Sequence, residues 1–414
     1  MGKHRHRKAT AKPLATINFD IMRNRIAILI LALFSTFSLT AQQVEMTNSL
    51  NNLSFDIYRQ LKSDKQNLFF SPASIDIALF MAYEGAKSDT KTSFEKVLHI
   101  ESDVKDNDVF DFITNLKRWN DSSNYLNISN AIWVQNNFKI NSDFISKIQT
   151  KYSAEAFSVD FLDKKNSTLQ INKWVAEKTN KLIKEIISPN QLEDSTKLII
   201  TNAIYFIGNW ADKFDKELTK LDDFYSIENE NVKIDFMNKT EHLDYFENKD
   251  FQFISKKYQG YDKSFCVILP TKRYGISEIE SNLNKSLIDS IFKNIINIQV
   301  NLSLPKLKLE TSYSLKEPLN NLGLNLAFSD YADFSGISSY PPLKISNVNH
   351  KAYIEVNEEK TEAAAVTAIG FEVVSAGGPI PEPKVFKADH PFIFMIIDNK
   401  TKGIIFIGRF VKEK

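Results

Sequence analysis

Cysteine is almost missing from this chain. Cys266 is the single example in 414 residues, so no internal disulfide can form. It lies in the apolar run Ser264-Phe265-Cys266-Val267-Ile268-Leu269. A reactive thiol needs a positioned base and partial exposure; this setting predicts a buried small hydrophobe instead. An excess of either charge is missing too. There are 52 basic and 51 acidic residues, for a net charge of +1, which leaves no electrostatic footprint for nucleic acid. The partner is then recognised by shape. Catalytic signatures are also absent. No GxSxG, HExxH, P-loop or CxxC occurs, and past the leader only His99, His242, His350 and His390 remain as bases. These absences argue against an enzyme, and neither a metal nor a cofactor is expected. No repeat period and no linker-like break follow Gln42.

What is present begins with a leader. Met22-Arg23-Asn24-Arg25 is a basic start, Ile26 to Leu39 is nearly continuous apolar sequence, and Thr40-Ala41 precedes Gln42-Gln43. That is the order of a secretory signal peptide. The apolar stretch of about 14 residues falls short of the roughly 20 that span a bilayer. Residues 1–41 are therefore expected to be leader and signal peptide, with Met22 as the start, and 42–414 a single domain. The protein is expected outside the cell (periplasmic or cell-surface in a bacterial source), and free of the membrane after cleavage.

The chain is 43% hydrophobic, ample for a large core. Leu50, Leu53, Ile57 and Leu61 follow a helical spacing, and Ser71-Pro72 marks a second helix start. Ile171 to Ile187 reads as an amphipathic helix ending near Pro189. Leu198 to Phe206 is too apolar for a half-exposed strand and predicts a central strand buried on both faces. Strand-like runs recur at 265–269, 298–304, 352–356, 392–397 and 404–410. The class is α+β.

The stretch 358–383 differs from its surroundings. Thr361 to Ala368 is small and carries one Glu, and Gly377-Gly378-Pro379-Ile380-Pro381-Glu382-Pro383 cannot form a regular element. A loop of roughly 25 residues within one domain is usually functional.

At this stretch the chain resembles the serpin family. Glu358-Glu359-Lys360-Thr361-Glu362-Ala363-Ala364-Ala365 resembles the family's reactive-loop hinge, which Val366 continues. Further blocks match in order. They are Asn67 to Ile75, Thr201 to Trp210, Leu304 to Leu307, Ala388 to Phe394 and Ile405 to Arg409. The resemblance runs from about Asn48 to Val411. It implies a serpin fold of three β-sheets with eight or nine helices, and an exposed reactive loop above a five-stranded sheet. It also implies an activity: irreversible suicide inhibition of serine or cysteine proteases. The protease cleaves the loop, which then inserts into the main sheet as a new strand. By the family's spacing the scissile bond is Val374-Ser375, within about two residues. A β-branched residue before it suits an elastase-like or subtilisin-like protease as the partner, not a trypsin-like one. Ser71, Ser74, Asn202 and His350 resemble the polar cluster beneath the parting strands. Trp210, Lys306 and Glu358 resemble the cluster where insertion begins. The inhibitor is expected to act as a monomer. The alternative is a non-inhibitory member acting as carrier, storage protein or chaperone.

The local chemistry is compatible with insertion. Alternate side chains of a strand face opposite ways. One parity gives Thr361, Ala363, Ala365, Thr367 and Ile369, nearly all small. The other gives Lys360, Glu362, Ala364, Val366 and Ala368, with both charges on the face left to solvent. Lys360 departs from the family's Gly, which bears on hinge speed because Gly alone is permissive at positive φ.

Overall fold

Helix and strand signals at opposite ends of the chain converge on one sheet. The computed structural model describes residues 43–100, 111, 114, 124–228, 230–339, 342–358 and 381–412. The chain divides into Met1–Glu45, of which the described residues 43–45 are helical, and Met46–Lys414.

The second unit opens with residues 46–61 of helix α1 (43–61), followed by strand β1 (Leu68–Phe70), α2 (Pro72–Gly85) and α3 (Ser88–Val97). Strand β2 (Asn124–Gln135) leads to α4 (Ser142–Tyr152), β3 (Glu155–Val159) and α5 (Lys164–Lys178). Strand β4 (Leu198–Gly208) precedes a run of strands, β5 (Lys220–Tyr225), β6 (Asn231–Glu247), β7 (Phe251–Lys257) and β8 (Lys263–Pro270). Helices α6 (Ile276–Asn282) and α7 (Lys285–Asn294) follow, then β9 (Ile296–Pro305), β10 (Leu307–Ser314) and the short α8 (Lys316–Leu319). The chain closes with β11 (Asn347–Val356), β12 (Lys384–Lys387), β13 (Phe392–Asp398) and β14 (Ile404–Phe410).

The strands form a five-stranded sheet ordered β10-β11-β4-β2-β3 and a nine-stranded one. The expected second and third sheets are thus joined. The long β6 pairs with β5 through Asn231–Phe236, with β9 through Phe236–Tyr245 and with β7 through Asp244–Glu247. One strand serves both, so hydrogen bonding is continuous between them.

Strand β4 is buried along Leu198–Phe206, as its composition predicts. Leu198, Ile200, Ile204 and Phe206 enter the main core. Ile199, Ala203 and Tyr205 enter a second core beneath α5, with Trp133, Trp174 and Ile171. Each face of the central strand therefore has its own apolar layer.

Helix α2 begins as read, with Ser71 as N-cap accepting from Ser74 N and Pro72 in the first turn. Helix α5 does not. It starts at Lys164, capped by Asp163, and stops at Lys178 rather than near Pro189. Asn180 and Lys181 take positive φ values of 49° and 64°, which end a helix. Asn172 Oδ1 then accepts from the N–H groups of Ile186 and Ile187, seating an irregular turn. Ile183, Ile186 and Ile187 are still buried. Their spacing reflected burial rather than helix. Cys266 lies buried on β8, and burial pushes its thiol up to about 12, so it is inert.

One feature of α2 is costly. Asp76 is wholly buried, and neither carboxyl oxygen has a hydrogen-bond partner among the described residues. Burial alone pushes its pKa well up. A carboxyl raised in the folded state adds stability below its unfolded value, near 3.9, and loses it as pH climbs through the folded value. Asp76→Ala is therefore expected to raise stability in urea at neutral pH by about 1–3 kcal/mol and to weaken its decline with pH. A less stable variant would show that the carboxyl is satisfied in solution.

Candidate functional site: the sheet opening and the hinge

The five-stranded sheet is closed below and parted above. Strands β4 and β11 pair in parallel from Asn347↔Ile199 to Tyr353↔Tyr205, where their ladder stops. Both continue with their outer neighbours, β4 with β2 up to Gly208↔Asn124 and β11 with β10 up to Val356↔Leu307. Glu358, where the hinge is expected to begin, lies two residues beyond β11.

A polar row crosses this sheet where the ladder is closed. Asn130 of β2 lies opposite Asn202 of β4, which lies opposite His350 of β11, which lies opposite Tyr313 of β10. His350 Nδ1 pairs with Asn202 Oδ1. The Asn202 amide nitrogen reaches Asn130 Oδ1 and, at 3.0 Å, the Ser74 carbonyl, with the Ser74 hydroxyl also in contact. His350 Nε2 accepts from Ser71 N at 3.1 Å, and Ser71 Oγ donates to the Ile405 carbonyl at 2.7 Å. The contacts fix the neutral imidazole with its proton on Nδ1. Ser71, Ser74, Asn202 and His350 are thus brought together as the sequence suggested. Asn130 and Tyr313 were missed; only the strand register reveals them.

The top of the opening is held by a second cluster. Trp210 Nε1 donates to the Asn357 carbonyl at 2.9 Å, tying the chain after β4 to the residue before the hinge. The indole stacks on Tyr258 at 4.7 Å. Gly208 fits here because a Cβ would come within 2.8 Å of the Tyr258 ring. Lys306 Nζ lies 2.9 Å from Glu358 and 3.4 Å from Asp235. Thr219 Oγ1 donates to Glu358 at 2.6 Å. Burial would raise the Glu358 carboxyl, but the Thr219 and Lys306 hydrogen bonds outweigh it and hold it below its usual range. The same Glu358 bond holds Lys306 above its usual range. Trp210, Lys306 and Glu358 therefore meet as expected; Thr219 and Asn357 carried no sequence signal. The other expected hinge residues, Lys360 to Val366, and the bond Val374-Ser375 lie outside the described residues.

Comparison with known proteins agrees with this geometry. The family model described as Serpin (serine protease inhibitor) matches residues 48–413. The chain belongs to the serpin family, which includes protease inhibitors and non-inhibitory proteins and is not a family of catalysts. It is 38% identical to an uncharacterized serpin-like protein of Thermococcus kodakarensis, covering 90% of this chain and 87% of that one. It is 34% identical to the leukocyte elastase inhibitor of Xenopus tropicalis, covering 88% and 98%. The thermophilic serpin tengpin in its native state superposes with a TM-score of 0.79 at 32% identity, covering 89% and 94%. Among the described residues, no helix is long and apolar enough to cross a membrane.

Burial pushes His350 down to about 3. A depressed histidine adds stability above its ordinary value, near 6.5, that is lost as pH falls toward the folded value. The thermal midpoint of the intact protein is therefore expected to fall as pH drops from about 6.5 toward 3, with a shallower slope in His350→Gln. Equal slopes in the two proteins would remove His350 from the acid response.

Proposed function

We propose that this serpin is a secreted suicide inhibitor of serine proteases, with an elastase-like enzyme as target. The reading is carried by one observation. The β4–β11 ladder stops at Tyr353↔Tyr205, directly below the hinge, while both strands remain paired on their outer sides. A strand entering there finds donors and acceptors on two edges. The small parity of Thr361, Ala363, Ala365 and Thr367 supports passage between them. Cleavage at Val374-Ser375 frees the segment from Thr361 to Val374, about 46 Å of strand at the usual rise. The acyl-enzyme, still attached, is carried to the far end of the sheet. The signal-like leader supports export, and 42–414 acts as one domain whose loop spans 358–383.

The decisive experiment incubates the protein with elastase-, subtilisin-, trypsin- and papain-type proteases. An SDS-stable complex with the elastase type is expected, with a released peptide beginning at or near Ser375. Cleavage without any trapped protease would favour a carrier or storage role. Thermal scans add a second arm. Protein nicked between Gly370 and Gly378 is expected to melt tens of degrees above intact protein, far beyond the roughly 2–4 °C that 1 kcal/mol gives in a large domain. An equal or lower midpoint would mean that the loop does not insert.

Specificity of the inward face gives a further prediction. Thr361→Arg places a charge where burial is required, so the variant is expected to be cleaved at the wild-type rate while trapping little protease. An unchanged ratio of trapped to released protease would overturn the parity.

A further inference from the structure

The chain after β4 that carries Trp210 is irregular, and it is clasped by the end of β7. Gln259 N donates to the Asn209 carbonyl at 2.7 Å, and Ala211 N donates to the Lys257 carbonyl at 3.0 Å. Within this clasp lies an unusual cation. Lys256 is only 1% exposed, and its ammonium donates to the Asp212 carbonyl at 2.7 Å. It also bonds Glu241 of β6, and it sits 4.7 Å from the Phe214 ring centre and 5.4 Å from that of Trp210. β6 and β7 pair only through Asp244–Glu247, so no ladder joins Glu241 to Lys256. The ion pair does so instead.

We propose that Lys256 and Glu241 are positioning residues that hold the Trp210 segment against Asn357 and so set how readily the top of the sheet opens. The proposal rests on the inhibitor reading for its consequence, since opening there admits the loop. The geometry defines a chain of contacts from Glu241 through Lys256 to Asp212 and Phe214, then Trp210, then the Asn357 carbonyl beside the hinge. Lys239 and Asp212 are the other charged groups acting on the pair, and Lys239 itself bonds Asp212 at 2.6 Å. Burial pulls Lys256 down and pushes Glu241 up, each more strongly than its partner opposes. The pair is therefore kept at a cost, and removing one member leaves an uncompensated buried charge.

Hydrogen exchange read by mass spectrometry on the full chain tests this. Glu241→Gln is expected to speed exchange in peptides covering 198–215 and 351–358 by about tenfold or more, with β13 and β14 unchanged. The double variant Lys256→Met with Glu241→Gln removes both charges and conserves volume, so it should fold with a wild-type thermal midpoint. It still lacks a donor for the Asp212 carbonyl, and 209–215 is expected to exchange faster than wild type. A purely structural ion pair predicts wild-type exchange everywhere in the double variant, and that result overturns the proposal. So does a single-variant increase spread evenly over β13 and β14. In a third arm the intact double variant, warmed alone, should lose protease trapping about tenfold faster than wild type; equal rates would break the link to the hinge. If the wild type traps no protease, the inhibitor reading fails, while the exchange result still decides whether the clasp exists.

Discussion

A strand buried on both faces cannot be moved without exposing two apolar layers, and β4 is such a strand. Its even residues pack on the main core and its odd residues on the layer beneath α5. Any rearrangement of the five-stranded sheet must therefore keep β4 covered. The movable boundary is the β4–β11 ladder, where neighbouring strands can slide apart while each keeps its other partner. The candidate site residues lie along that boundary. The polar row of Asn202 and His350 spans it, the Trp210–Asn357 bond closes its top, and the Glu358–Lys306 pair lies above it.

The two clusters oppose opening by different physics. Asn202 and His350 form a neutral, dehydrated network in which each buried donor has an acceptor. Parting it exposes unsatisfied groups until new partners arrive. Glu358, Lys306 and Thr219 lie nearer solvent, where charges are screened and the net gain of a pair is modest. The lower cluster is thus the stronger restraint, and the upper one sets where parting starts. Lys256 sits between these regimes, fully dehydrated yet charged. Its value is geometric, in the position it imposes on the Trp210 segment.

Much of this was legible in the residues, for identifiable reasons. The apolar run of β4 has no polar alternation, so its burial on both faces followed directly. Ser71 and Pro72 are a helix start by local chemistry, independent of tertiary context. The α5 boundaries were not legible, because Ile183, Ile186 and Ile187 keep a helical spacing while occupying a turn that Asn180 and Lys181 force. The site residues Ser71, Ser74, Asn202, His350, Trp210, Lys306 and Glu358 came from resemblance to a family pattern. Asn130, Thr219 and Lys256 did not, since strand register places Asn130 beside Asn202 and contacts between segments distant in sequence place the other two. Lys256, next to Lys257 at the end of the run Phe251–Lys257, looks like a solvated charge; that it is enclosed by Trp210 and Phe214 depends on a segment distant in sequence.

On the proposed inhibitor reading, the polar row also accounts for insertion needing a covalent event. Adjacent strands lie about 4.8 Å apart. A strand entering between β4 and β11 doubles that separation for Asn202 and His350, so their direct bond must break. The penalty falls early, while the ladder bonds that compensate it form one residue at a time. On that reading an uncut loop stays joined to β12, which is paired with β9 in the other sheet. Cleavage frees one end, and the segment from Thr361 onward can then pass the row and pair along both edges. On this account, metastability arises from a barrier placed midway down the sheet, and the free energy released afterwards comes mainly from backbone hydrogen bonds and the small side chains buried beneath them.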